Sequence, residues 1–242
     1  MVSAAADAMR KVVVEVQPVL KRIGFRKRAH TFNRTIEPGL VQVIKYQMAA
    51  YDPPGLVEIP GLRENLYGLF SVHLGVFVEE AWLLDAGRFG PDGAPVAKNW
   101  INDYDCQLRR VVHKRSGEPM RRLWRVDDPG VGRIMIDVLH SDALMWFDRF
   151  SSRTAIIAQL EDAPVHSYAI SGEGPDRLLA TRMRLGAGER QRAQRNFDDW
   201  VAHCRARVTK ERHLRGHLDH LSEFADRVGL AMPEMDSTDS VR

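Results

Sequence analysis

Phe70, Val72, Leu74, Val76 and Val78 are apolar at every second position, and no other stretch of the chain alternates so cleanly. A period of two turns successive side chains to opposite faces of a strand. Such a segment belongs in a sheet with one buried and one wet face, the habit of antiparallel sheets. Other short segments read the same way. His30 to Arg34 is a short strand, and Leu40 to Met48 is a second with Leu40, Ile44, Tyr46 and Met48 on one face. Asp103 to His113 is a fourth, with Tyr104, Cys106 and Leu108 on one side and Arg109 on the other. Arg121 to Val126, containing Trp124, is a fifth. Loops rich in breakers separate them: Asp52-Pro53-Pro54-Gly55, Pro60-Gly61, Gly87 to Pro95 and Ser116 to Pro119. Consecutive strands without intervening helices predict an antiparallel sheet of about five strands.

On either side of this region the period changes to 3.6 residues. Val12, Val13, Val16, Val19, Leu20 and Ile23 give one face to a helix from Ala4 to Ile23, stopped by Gly24. Pro18 removes a helical hydrogen bond, which predicts a kink or a fresh turn there. After Asp128 the chain reads as helical. Pro129 suits a first turn, and Ser141 and Ser152 are candidate caps. Pro175 can open a helix that ends near Gly186. Ala193, Phe197, Trp200, Val201, Cys204 and Val208 lie on one stripe of the strongest helix, Glu189 to Val208. A last helix carries Leu214, Leu218, Leu221 and Phe224 and stops at Gly229. The expected architecture is one α+β domain over residues 1–242. Residues 4–126 supply a helix and the sheet, 128–230 a helical half, and 231–242 a flexible acidic tail.

A chain of 242 residues, 44% hydrophobic and 28% charged, can bury a core without disulfides or metals. Cys106 and Cys204 fall among apolar residues outside any Cys-x-x-Cys pair, which predicts buried free thiols in a reducing compartment. Asp7, Arg10, Lys11 and Glu15 interrupt the first apolar run, so no signal peptide is expected. No apolar run is long enough to span a membrane. The expected location is the cytoplasm.

A helix ending in Gly24-Phe25 is followed by Phe32-Asn33-Arg34, Tyr46-Gln47, Leu74-Gly75 and Asp105-Cys106-Gln107-Leu108-Arg109, and then Trp124. In this order the segments resemble the bacterial family catalogued as domain of unknown function 4304, over roughly Val12 to Trp124. The resemblance implies a fold of sheet and helices and assigns no activity.

Motifs for familiar chemistry are missing. There is no phosphate-binding glycine loop and no Gly-x-Ser-x-Gly elbow. Nothing in the sequence asks for a catalytic residue, a cofactor or a metal. His213, His217 and His220 fall within about 60° on a helix, yet they lack a Glu between metal-ligand histidines and border an apolar stripe. They read as a boundary or solvated face. Asp103, Asp105, Gln107 and Arg109 share one face of the predicted strand, which could be an acid–base site but is more simply a wet face with cross-strand salt bridges. Arg26, Lys27 and Arg28, with Phe25, His30 and Phe32 interleaved, could bind phosphate and stack bases. The reading that follows is a non-catalytic protein-binding module of immunity or adaptor type. Asp105, Arg109, Arg26, Lys27 and Arg28 are its candidate partner-binding residues. A nucleic-acid-binding accessory domain, or an enzyme with an unrecognised site, stays open. Missing motifs exclude the familiar chemistries, not chemistry itself.

Overall fold

The computed structural model describes residues 4–49, 59, 65–84, 98–112, 123–162, 177–208 and 214–234. The chain is α+β, with an N-terminal helix, a six-stranded antiparallel sheet and a helical C-terminal half. Its contacts divide it into two compact units, Met1–Glu79 with Ala97–Ala155, and Glu80–Val96 with Ile156–Arg242.

The first unit opens with α1 (Ala4–Arg22), which runs unbroken through Pro18. The carbonyl that Pro18 leaves unbonded belongs to Val14, and both residues are exposed, so water can satisfy it. Gly24 ends the helix at φ 91°. There the Phe25 N–H reaches Leu20 O at 3.0 Å and the Gly24 N–H reaches Lys21 O at 3.1 Å, the paired bonds of a Schellman cap. The chain then forms β1 (Arg26–Arg28), β2 (Thr31–Glu37), β3 (Leu40–Met48) and β4 (Leu69–Val78). α2 (Glu79–Leu83) belongs to the second unit from Glu80 onward; the first unit resumes with a 3₁₀ turn (Asp103–Asp105), β5 (Leu108–Val111) and β6 (Trp124–Arg125). The sheet order is β1-β2-β3-β4-β5, with β6 also paired to β4.

Even-numbered residues of β2, β3 and β4 form the apolar face. Phe32, Tyr46, Phe70 and Trp124 make an aromatic row across four strands, with centroids 5.9 to 6.4 Å apart. A run of helices reaches this face at its C-terminal end. They are α3 (Val131–Val138), a π-helical turn (Leu139–Ala143) and α4 (Leu144–Asp148), following one another without a break. Gln42, buried on the same face, donates to the carbonyls of Phe147 and Phe150 at 3.3 and 3.5 Å. Its own oxygen accepts from Arg34 Nε at 3.0 Å, while Arg34 Nη1 reaches Ile23 O at 3.3 Å. One partly buried polar chain thus joins the end of α1, two strands and the end of α4.

The second unit is helical. It contains most of α5 (Arg153–Asp162), then α6 (Arg177–Gly186), α7 (Arg190–Val208) and α8 (Leu214–Val228). Leu178, Phe197, Val201, Cys204, Leu221 and Phe224 belong to its core. Arg184 on α6 binds Glu161 of α5 at 2.9 Å and also Glu189, just before α7. The stripe read from the sequence of α7 is the buried one.

Several expectations are corrected. The strand expected from Asp103 to His113 shrinks to β5, because Asp103 to Asp105 coil into the 3₁₀ turn; His113 lies outside the described residues. The strand expected from Arg121 is described only at Trp124–Arg125. The basic segment Arg26–Arg28 is a sixth strand. β4 is buried on both faces, since neighbours flank it on either edge and both of its faces are covered. Ser141 caps nothing, because it sits inside the π-helical turn that carries one helix into the next. Ser152 does cap α5, accepting the Ala155 N–H at 3.1 Å. Ala231 to Glu234 are held against α7 by Gln194 and Arg205, so the tail is pinned over those residues; the remainder lies outside the described residues. The loops at Asp52 to Pro54, Gly87 to Pro95 and Ser116 to Pro119 also fall outside them.

Candidate functional site

Odd-numbered residues of β2, β3 and β4 form the second face of the sheet. Thr31 lies opposite Lys45, Lys45 opposite His73, and Gln47 opposite Ser71. Ser71 and His73 are two residues apart on β4 and therefore project the same way. The segment 98–107 crosses this face. Asn33 anchors it with two bonds to Ile101, donating to the carbonyl at 2.9 Å and accepting the N–H at 3.0 Å. Gly75 lets it approach. A Cβ at position 75 would stand 2.5 Å from Cys106 Sγ and 2.8 Å from Cys106 Cβ.

The segment brings two carboxylates beneath it. Asp105, its side chain 1% exposed, accepts from Lys98 Nζ at 3.0 Å and from the Asn102 N–H at 2.9 Å. It closes the 3₁₀ turn as a capping box. Asp103 faces the sheet. Lys45 Nζ lies 2.7 Å from Asp103 Oδ1, and His73 Nδ1 lies 3.0 Å from Asp103 Oδ2. On the other side of the ring, His73 Nε2 is 2.8 Å from Ser71 Oγ. Burial pushes the Asp103 carboxyl up, but the bonds from His73 and Lys45 outweigh it and hold the group well below the usual carboxylate range. An ionised Asp103 only accepts, so His73 Nδ1 carries a proton, and in the neutral imidazole Nε2 then accepts the Ser71 hydroxyl. Lys45, His73, Asp103 and Ser71 form one chain of hydrogen bonds over the sheet.

Both cysteine thiols sit where the nucleophilic thiolate is disfavoured. Burial, and then the charges of Asp103 and Asp105, push the Cys106 thiol well up, and burial pushes Cys204 up to about 11. Both are buried free thiols, as their apolar settings predict.

The candidate partner-binding residues do not gather at one place. Asp105 is buried in its cap and has no surface to offer, contrary to the wet face expected for it and for Asp103. The reason is local: the turn at Asp103–Asp105 folds both carboxylates inward onto Lys98, Lys45 and His73. Arg109 is exposed on β5, opposite Gly75. Arg26, Lys27 and Arg28 are exposed on β1, at the far end of the strand order. Phe25 and Phe32, interleaved with them in sequence, are buried at 3% and 1% exposure and cannot stack bases. His217 and His220 are exposed on α8, while His213 lies outside the described residues. Among the described residues no group of three His, Cys, Asp or Glu could hold a metal ion, and no helix is long and apolar enough to cross a membrane.

Sequence reasoning missed Lys45, Ser71 and His73. Ser71-Val72-His73 was the available signal: two chemistry-bearing side chains on the side of β4 opposite its apolar row. The second unit holds a polar cavity of about 360 Å³ lined by Glu161, Arg184, Arg192, Arg195 and Asn196 among others. Its groups largely satisfy one another, since Glu161 accepts from both Arg184 and Asn196. No protein-family description, curated protein or solved structure matches this chain.

Proposed function

We propose that this chain is a protein-binding module that grips an acidic segment of a partner protein along its basic edge strand, β1. The observation that supports this reading is the exposure of Arg26, Lys27 and Arg28 on β1, the edge strand of the sheet among the described residues. Lys21 and Arg22, at the end of α1, are exposed beside them in sequence. None of these five cations has a carboxylate partner among the described residues. An edge strand offers unpaired backbone groups to an incoming extended segment, and the cations select one with acidic side chains. A protein is favoured over nucleic acid because the neighbouring aromatic rings are buried. The short length of β1, three residues, and its charge keep the edge from pairing with apolar strands.

Amide chemical shifts recorded during titration with an extended Asp/Glu-rich peptide test the reading. The β1 amides should move, and charge reversal by R26E, K27E and R28E together should abolish the response. Unmoved β1 amides, or tighter binding of a single-stranded oligonucleotide at the same residues, would overturn it.

A further inference from the structure

We propose that Ser71, His73 and Asp103 form a hydrolytic centre for small esters, with Ser71 as nucleophile and His73 as its general base. The geometry is that of a Ser-His-acid relay, which is recognised by distances and roles on any fold. Ser71 Oγ lies 2.8 Å from His73 Nε2, and His73 Nδ1 lies 3.0 Å from Asp103 Oδ2. Each is within the reach required of nucleophile, base and orienting acid. Asp103 fixes the tautomer that leaves Nε2 free to accept. Lys45, bound to the second oxygen of Asp103 at 2.7 Å, is a positioning residue that keeps the carboxylate ionised. Most buried polar clusters serve only to tie segments together, and for 98–107 that work is done by Asn33 on Ile101 and by Lys45 on Asp103. Ser71 adds nothing to that anchoring: its hydroxyl meets His73, on its own strand.

The centre has an opening. The side chains of His73 and Lys45 are 20% and 22% exposed, and Tyr104 beside Lys45 is 55% exposed. Gln47 is exposed and directly opposite Ser71 on the same face, and we assign its side-chain amide to the oxygen charge that would develop. Ser71 itself is 8% exposed, which restricts the substrate to a short acyl group.

In the reaction, Ser71 Oγ bonds to the ester carbonyl carbon while its proton passes to His73 Nε2. The C–O bond to the leaving alcohol breaks, and the alcohol departs with that proton. Water then attacks the acyl-serine, gives its proton to Nε2, and releases the acid as the proton returns to Ser71. Ester and water become acid and alcohol, with no other reactant.

The test uses the whole folded chain and p-nitrophenyl acetate, with acylated peptides located by mass spectrometry. Acetylation should fall on Ser71 and disappear in S71A, which removes one hydroxyl and should leave the circular dichroism spectrum unchanged. In H73G the acylation rate should drop about 100-fold or more, and added imidazole should restore it, an effect a structural histidine would not show. Acetyl groups only on lysines, or a Ser71 rate indifferent to H73G, would overturn the proposal.

Discussion

Cys106 rests directly on Gly75, and the contact holds the 3₁₀ turn and its two aspartates against the sheet. Any side chain at 75 would meet Sγ at 2.5 Å and the Cys106 Cβ at 2.8 Å. Gly75→Ala should therefore force the segment 98–107 away from β4. Overpacking of this kind costs about 1–3 kcal/mol. Urea unfolding should show that loss, and the His73–Asp103 hydrogen bond should weaken with it in the imidazole NMR spectrum.

Asp103 couples stability to acid. In the unfolded chain its carboxyl takes up a proton near pH 4. In the folded chain, against the pull of burial, the bonds from His73 and Lys45 hold its affinity for protons well below that. The unfolded state therefore binds more protons as the pH drops, and stability present above about pH 4 is progressively lost below it. Denaturant melts from pH 7 to pH 3 should show this slope in the native protein and a flatter one in D103N, which starts from a lower stability.

Tyr46 should be improvable. Its hydroxyl is buried with no hydrogen-bond partner among the described residues, and burial pushes its ionisation far up. An unsatisfied buried hydroxyl costs about 1–3 kcal/mol. Tyr46→Phe keeps the ring between Phe32 and Phe70 and should raise the unfolding midpoint.

The second unit depends on Arg184. It binds Glu161 through two nitrogens, at 3.1 and 2.9 Å, and also holds Glu189. The bonds to Glu161 raise its proton affinity; burial pushes the Glu161 carboxyl up, but the bonds from Arg184 and Asn196 outweigh it and hold it below its ordinary range. Arg184→Met preserves the packing of α6 and removes the tie, so it should destabilise by about 1–3 kcal/mol. Hydrogen exchange should quicken in α5, α6 and the start of α7.

Much of the fold was legible because its signals are local. The stripes of α1, α7 and α8 lie in the residues themselves, as do the alternation of β4 and the stops at Gly24 and Gly229. Each depends on neighbours a few positions away. Arg26–Arg28 escaped notice as a strand because three exposed cations carry no periodicity. The aspartates were misplaced for a different reason. Asp103 to Arg109 alternates well enough to pass for a strand, but Asp103 finds Lys45 and His73 far off in sequence, and Asp105 turns back onto Lys98 and Asn102.

By itself, then, the sequence determined the α+β class, the antiparallel sheet between its helices, and the burial of both cysteines. Tertiary structure alone decided that Ser71 and His73 would meet Asp103. That meeting requires the register that sets Lys45 opposite His73, the opening left by Gly75, and a segment crossing the sheet to deliver a carboxylate from 30 residues further on. Local periodicity records which face of a strand is apolar. It holds no information about what will be laid across the other face, because that depends on hydrogen bonds formed only once the chain has folded back.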